Sequence, residues 1–148
     1  VCADIVIAAR SATFTLAYTS AGLTPDGGST FFLPRLIGLR RTQELALTPR
    51  RLTADEALAW GLVTRVVDDA DLQADAEHTA RAFAQGPTGA YGGTKRLLAD
   101  TFAATLETQM EAEARGIAAA AQTRDGREGI AAFTGKRKPA FVGRSEGS

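Results

Sequence analysis

Gly22-Leu23-Thr24-Pro25-Asp26-Gly27-Gly28-Ser29-Thr30 is dense in turn formers, and it opens into Phe31-Phe32-Leu33-Pro34-Arg35-Leu36-Ile37-Gly38. Glycine enters backbone regions closed to other residues and Pro25 fixes its own φ, so the first group specifies a stiff bend. The second spaces apolar side chains as a short helix does, with Pro34 near the first turn and Gly38 ending it. Upstream of the bend, Asp4–Ala9 and Thr13–Ala17 are β-prone runs separated by Arg10-Ser11-Ala12. Neither alternates cleanly, which suits strands covered on both faces.

Working outward, Arg40–Leu47 is expected to be a helix and Thr48–Leu52 an exposed turn or strand. Thr53-Ala54-Asp55-Glu56 has the form of a capping box, with the Thr53 hydroxyl and the Glu56 carboxylate each serving the other's backbone N–H. The helix it opens should end at Gly61, before a strand over Leu62–Val67 and a polar turn over Asp68–Asp71. Leu72, Ala76, Thr79, Ala80 and Phe83 fall on one face of a helix that Gly86-Pro87 breaks. Pro87–Asp100 reads as the next helix. From Thr101 a long helix carries the apolar stripe Phe102, Leu106, Met110, Ile117 and Ala121, and a last helix over Asp125–Thr134 leads into a basic tail. The first third is thus strand and turn, and the remainder helical.

Composition narrows the possible functions. Of 148 residues, 45% are hydrophobic and 23% charged, enough to build a core. Seventeen Lys and Arg offset seventeen Asp and Glu, so attraction to nucleic acid or an anionic membrane is not expected. No apolar run reaches the roughly 20 residues that span a bilayer. The single cysteine, Cys2, excludes an internal disulfide and a multi-cysteine zinc site, and makes a reducing, cytoplasmic setting the default. The single histidine, His78, excludes a multi-histidine metal site. Val1 enters a strand partway, so the chain is expected to be the later part of a larger design.

Four blocks, ADIVIAARSATF (3–14), AGLTPDGGSTFFLPRLIG (21–38), LTADEALAWGLVTRVVD (52–68) and REGIAAFTGKRKPAF (127–141), resemble in that order the later half of the enoyl-CoA hydratase/isomerase, or crotonase, superfamily. The second block is most similar to the branch that isomerises ring-epoxidised phenylacetyl-CoA. The resemblance implies an α/β fold, a spiral of strand-strand-helix turns incomplete at its N-terminus. It divides the chain into a spiral portion, residues 1–68, and a helical oligomerisation region, residues 69–148, that packs subunits into trimers or pairs of trimers. It implies acyl-CoA thioesters as partners and no metal or redox cofactor, since CoA is part of the substrate. The family's shared step seats the thioester carbonyl between two backbone N–H groups, which stabilise an enolate.

Asp26 matches the acidic base of isomerase members, and burial among apolar groups would make it a better proton acceptor. Pro-Asp-Gly is also a common turn and Asp before a helix a common N-cap. Spacing alone leans that way, and the resemblance reverses it. Pro25 and Gly27, on either side, are assigned to substrate binding. Where hydratases carry a second glutamate this chain has Tyr18, which weakens a hydratase reading; Tyr18 either lines the acyl pocket or is a core tyrosine. Phe133 and Lys136 match positions that contact the CoA nucleotide in relatives, and each also reads as part of a solvated basic tail.

Other features carry less. His78 falls on a charged helix face, Cys2 reads as a small hydrophobe before a buried strand, and Arg40-Arg41 and Arg50-Arg51 read as solvated surface. Gly27-Gly28-Ser29-Thr30 lacks the ending of a nucleotide P-loop. The expected activity is acyl-CoA isomerisation by one carboxylate. Because the family's oxyanion segment precedes the position of Val1, this chain alone is expected to be inactive or very weak. The rival expectations are hydratase chemistry, aryl-CoA dehalogenation with Asp26 as nucleophile, and an inactive assembly module using the stripe on its long helix.

Overall fold

A computed structural model describes residues 3–143. Along the chain run β1 (Ile7–Ala9), β2 (Thr13–Phe14), α1 (Ser29–Ile37), α2 (Leu39–Leu47), β3 (Leu52–Thr53), α3 (Ala54–Trp60), β4 (Arg65–Val67), α4 (Leu72–Ala84), α5 (Thr88–Asp100), α6 (Leu106–Gln122) and α7 (Arg124–Thr134). Short 3-10 turns cover Thr19–Ala21 and Asp69–Asp71. The chain divides into two compact units, residues 1–77 and 78–148, with the division inside α4.

In the first unit β1 and β4 run parallel, Ile7 opposite Arg65 and Ala9 opposite Val67. Parallel pairing requires a crossover, and here the crossover contains α1, α2 and α3. β2 and β3 pair antiparallel, with Phe14 opposite Leu52. Ala8, Leu33, Ile37, Leu45, Leu52, Ala54, Ala57, Leu62 and Val63 form the core. Leu52 is fully buried, so truncating it to alanine should cost about 3 kcal/mol in transfer and cavity energy.

The capping box forms as expected. The Glu56 N–H donates to Thr53 Oγ1 at 3.2 Å and the Thr53 N–H to Glu56 Oε2 at 2.9 Å. Hydrogen bonds from the Thr53 backbone and then its side chain hold the Glu56 carboxyl below the ordinary range, with Arg50 adding to the effect. Gly61, at φ 81°, ends α3.

Several boundaries differ from the sequence reading. Leu62 and Val63 are not strand: both N–H groups return to the Ala57 carbonyl, at 2.8 and 3.4 Å, finishing the cap of α3. Both are buried, so their apolar character reflects the core and not a ladder. The first strands are also shorter, because β1 has a partner only over Arg65–Val67, and Thr15 turns its hydroxyl to the Arg50 carbonyl at 3.2 Å. Pro34 lies inside α1, just beyond its first turn, because the helix already starts at Ser29. Its missing N–H leaves the Thr30 carbonyl without the usual i−4 donor.

In the second unit α6 begins at Leu106, not Thr101. Asp100 closes a turn through its carbonyl to Ala103 and Ala104, and Thr105 caps the helix by accepting from the Thr108 N–H at 3.2 Å. Phe102 therefore lies outside the helix, while Leu106, Met110 and Ile117 remain exposed along it. Between α6 and α7 the chain turns tightly: Thr123 Oγ1 accepts from the Gly126 N–H at 2.9 Å, and a Cβ on Gly126 would overlap the Ala120 carbonyl. Asp125, buried at the start of α7, accepts from the Val142 and Gly143 N–H groups at 2.8 and 2.9 Å. Glu128 pairs with Arg137 and accepts from the Ala140 N–H at 2.8 Å. The basic tail is thereby tied along α7 as far as Gly143.

Candidate active site

The bend quoted at the outset is built from backbone bonds on both sides of Asp26. Before it, the Tyr18 carbonyl accepts from the Ala21 and Leu23 N–H groups at 2.9 and 3.0 Å, and Gly22 supplies the left-handed φ of 71° that turns the chain. Thr19 Oγ1 donates to the Ala46 carbonyl at 2.7 Å, fastening this turn to α2. After it, the Asp26 carbonyl accepts from the Ser29 N–H at 3.1 Å and from Ser29 Oγ at 2.7 Å. The two residues inside that turn, Gly27 and Gly28, have φ of 59° and 76°, as a turn with two left-handed positions requires. At Gly28 a Cβ would also stand 3.1 Å from the Phe32 ring.

This backbone sets the Asp26 carboxylate within reach of a phenol. The Tyr18 hydroxyl donates to Asp26 Oδ1 at 2.6 Å, within the range of a charge-assisted bond. That bond holds the Tyr18 phenol above its ordinary value, because losing the proton would place two negative charges side by side. The N-cap alternative for Asp26 is thereby removed. α1 is capped at Gly28 with no side-chain bond, and the Asp26 side chain turns to Tyr18 instead. The expected burial of Asp26 is not met within this chain, where it is exposed. Tyr18 is half-buried, neither an enclosed core tyrosine nor free of contacts.

Tyr18, Pro25, Asp26 and Gly27 are thus brought together in the first unit. On α1, which follows directly, Phe31 and Phe32 meet edge to face at 5.3 Å, and the Arg35 guanidinium lies 3.6 Å from the centre of the Phe31 ring. Leu23, Phe31 and Phe32 are 62%, 51% and 41% exposed, an apolar surface on the same loop and helix as the carboxylate. Sequence reasoning placed Tyr18 and Asp26 separately and missed the bond between them. The signal was available: eight residues apart, they flank a turn that Gly22 reverses.

Phe133 and Lys136 lie together at the end of α7 in the second unit. The ring is 88% exposed, and the Lys136 N–H donates to the Phe133 carbonyl at 3.2 Å. Lys136 is the one non-glycine residue with positive φ among those described, at 49°. His78 is exposed on α4. The expectation for Cys2 lies outside the described residues. Of the basic pairs, Arg50 is engaged by Glu44 and Glu56, and it and Arg41 lie 4.9 and 5.2 Å from the centre of the Trp60 ring. Among the described residues, no group of three or more His, Cys, Asp or Glu could hold a metal ion, and no helix is long and apolar enough to cross a membrane.

Comparison with known proteins agrees with this architecture. The chain is 43% identical over 141 residues to the 1,2-epoxyphenylacetyl-CoA isomerase of Escherichia coli K12, covering 95% of this chain and 54% of that protein. It is 38% identical to a 4-chlorobenzoyl coenzyme A dehalogenase of an Arthrobacter species, over 90% of this chain and 48% of the relative. The crystal structure of an enoyl-CoA hydratase/isomerase from Cupriavidus metallidurans superposes with a TM-score of 0.88 at 37% identity, covering 99% of this chain and 55% of that one. The chain thus spans about half the length of the curated relatives it matches. The sequence pattern of the enoyl-CoA hydratase/isomerase family matches residues 1–144, and the chain belongs to that family, with its crotonase fold.

Proposed function

We propose that the protein carrying this chain is an acyl-CoA isomerase in which Asp26 shuttles a proton on the acyl group of a CoA thioester. In a β,γ-enoyl-CoA, Asp26 would take a proton from the α carbon. The electron pair left behind would delocalise into the thioester carbonyl, and the same carboxyl would return the proton at the γ carbon. The double bond moves by one position and no atom is gained or lost. One carboxylate is enough, and no metal or redox group is called on; CoA belongs to the substrate. The enolate needs N–H donors at the thioester oxygen, and none of the described residues is assigned that part.

The observation that carries this reading is the bond from Tyr18 to Asp26. At the position where, by the resemblance, hydratase relatives have a second acid stands a phenol that donates to Asp26, which favours proton transfer by Asp26 over hydration by paired carboxylates. The exposed Leu23, Phe31 and Phe32 supply apolar surface suited to an acyl group. The test is Asp26→Asn in the full-length gene product, with conversion of a β,γ-enoyl-CoA followed by absorbance. Turnover should fall by about three orders of magnitude, with thioester binding by calorimetry nearly unchanged. Near-wild-type turnover would remove Asp26 from the reaction.

A second reading has its own support in the similarity to 4-chlorobenzoyl coenzyme A dehalogenases. There Asp26 would attack as a nucleophile, and an ester on Asp26 would accumulate in a single turnover, which a general base never forms.

A further inference from the structure

We propose that Tyr18 is the positioning residue of Asp26, clamping one carboxylate oxygen so that the other alone is left to carry the proton; this rests on the reading of Asp26 as the base. The phenol donates to Oδ1 at 2.6 Å, and among the described residues no other side-chain donor is recorded at Asp26. A carboxylate on a short side chain rotates freely unless something fixes its plane. Here the backbone is fixed on both sides by the Tyr18 and Asp26 carbonyl turns, and the phenol fixes the remaining torsion. The clamp is itself anchored, since Tyr18 opens the 3-10 turn that Thr19 fastens to α2. A catalytic base held in a reactive orientation gains rate through orientation, so the loss of the clamp should appear in kcat and not in KM.

The proposal separates Tyr18 from the two roles considered for it in the sequence. A residue that lines the acyl pocket would change KM when its hydroxyl is removed, and a core tyrosine would change stability alone. Tyr18 is half-buried with its hydroxyl on an exposed carboxylate, which fits neither. Among the described residues Asp26 is the sole charged group contributing to the raised phenol of Tyr18, and partial desolvation acts in the same direction. The phenol is therefore a direct reporter of the pair.

The experiment has two arms. In the full-length gene product, Tyr18→Phe should lower kcat for a β,γ-enoyl-CoA by about 10- to 100-fold with KM little changed, the range for losing a charge-assisted hydrogen bond. In the 148-residue chain, which holds two tyrosines, Tyr91→Phe leaves Tyr18 as the only phenol to follow by ultraviolet titration. Tyr18 should then titrate above the ordinary value of about 10, and Asp26→Asn should lower it toward that value. An unchanged kcat in Tyr18→Phe, or a Tyr18 titration indifferent to Asp26→Asn, overturns the clamp. If Asp26→Asn also leaves turnover intact, the base itself is wrong; if Asp26→Asn abolishes turnover and Tyr18→Phe leaves kcat unchanged, only the clamp falls.

Discussion

Two carboxylates in this chain sit next to glycine-containing turns, and their oxygens are engaged in opposite ways. Asp125, at the start of α7, is buried and gives both oxygens to backbone N–H groups, one from Val142 and one from Gly143. Asp26, in the bend before α1, is exposed and gives one oxygen to the Tyr18 phenol. A carboxylate with both oxygens committed to the main chain holds structure. A carboxylate fixed at one oxygen by a side chain keeps the other for chemistry. Surroundings, more than residue type, separate the two.

The widest separation is expected when both are changed to asparagine in the full-length gene product. Asp26→Asn should remove about three orders of magnitude of isomerisation with little change in the urea midpoint, and Asp125→Asn should lower the midpoint and leave a folded sample's turnover within a few-fold. If the two variants lose turnover equally, the distinction fails. Asp125→Ala sharpens the structural half. It strands the Val142 and Gly143 N–H groups, and should cost about 2–3 kcal/mol in urea denaturation.

Gly28→Ala tests how far the frame around Asp26 depends on its left-handed turn. The substitution forces a side chain into φ 76° and toward the Phe32 ring, so about 1–2 kcal/mol of stability should go. Turnover should fall further than that loss of folded protein explains, because the bend aims the carboxylate. The smallest effect is a pH dependence in the second unit. Arg137 first, and then the Ala140 N–H, holds the Glu128 carboxyl down at about 2, against an ordinary value of 4.5. A folded-state value below the unfolded one gives stability that is fully present above 4.5 and lost as pH falls through about 2. The difference in urea midpoint between the chain and its Glu128→Gln variant should therefore be constant above pH 5 and shrink toward pH 2. A difference that persists unchanged at pH 2 would mean that Glu128 does not act through its charge.

Much of the fold was legible because its signals are local. The Thr53 capping box, the stop at Gly61, the break at Gly86-Pro87 and the glycine bend all depend on residues a few positions apart, and each stands where the sequence put it. The errors share a physical cause. Leu62 and Val63 are apolar because they face the core, and apolar character alone does not separate a helix cap from a strand. The early start of α6 was read from the apolar stripe, whereas Thr105 and its hydroxyl decide it. For the site, the resemblance supplied Asp26 and the bend supplied its rigidity. The bond to Tyr18 was only partly legible: Gly22 marks the turn that brings the two residues together, but which side chains meet across it depends on φ angles that composition does not encode. The tie of the tail to Asp125 and Glu128 was missed for a similar reason: besides the Arg137 side chain, its donors are backbone groups 12 to 18 residues away.

The most direct test follows hydrogen and not turnover. The full-length gene product is incubated with a β,γ-enoyl-CoA in deuterated water, and deuterium in the acyl chain and mass on the protein are read together by mass spectrometry. The account predicts that deuterium enters the acyl chain only as far as the Asp26 carboxyl exchanges its proton with solvent between removal and return, that no adduct forms on the protein, and that Asp26→Asn lowers the rate of entry about a thousandfold. Deuterium entering at an unchanged rate in Asp26→Asn, or an acyl or aryl group found on Asp26, would contradict it.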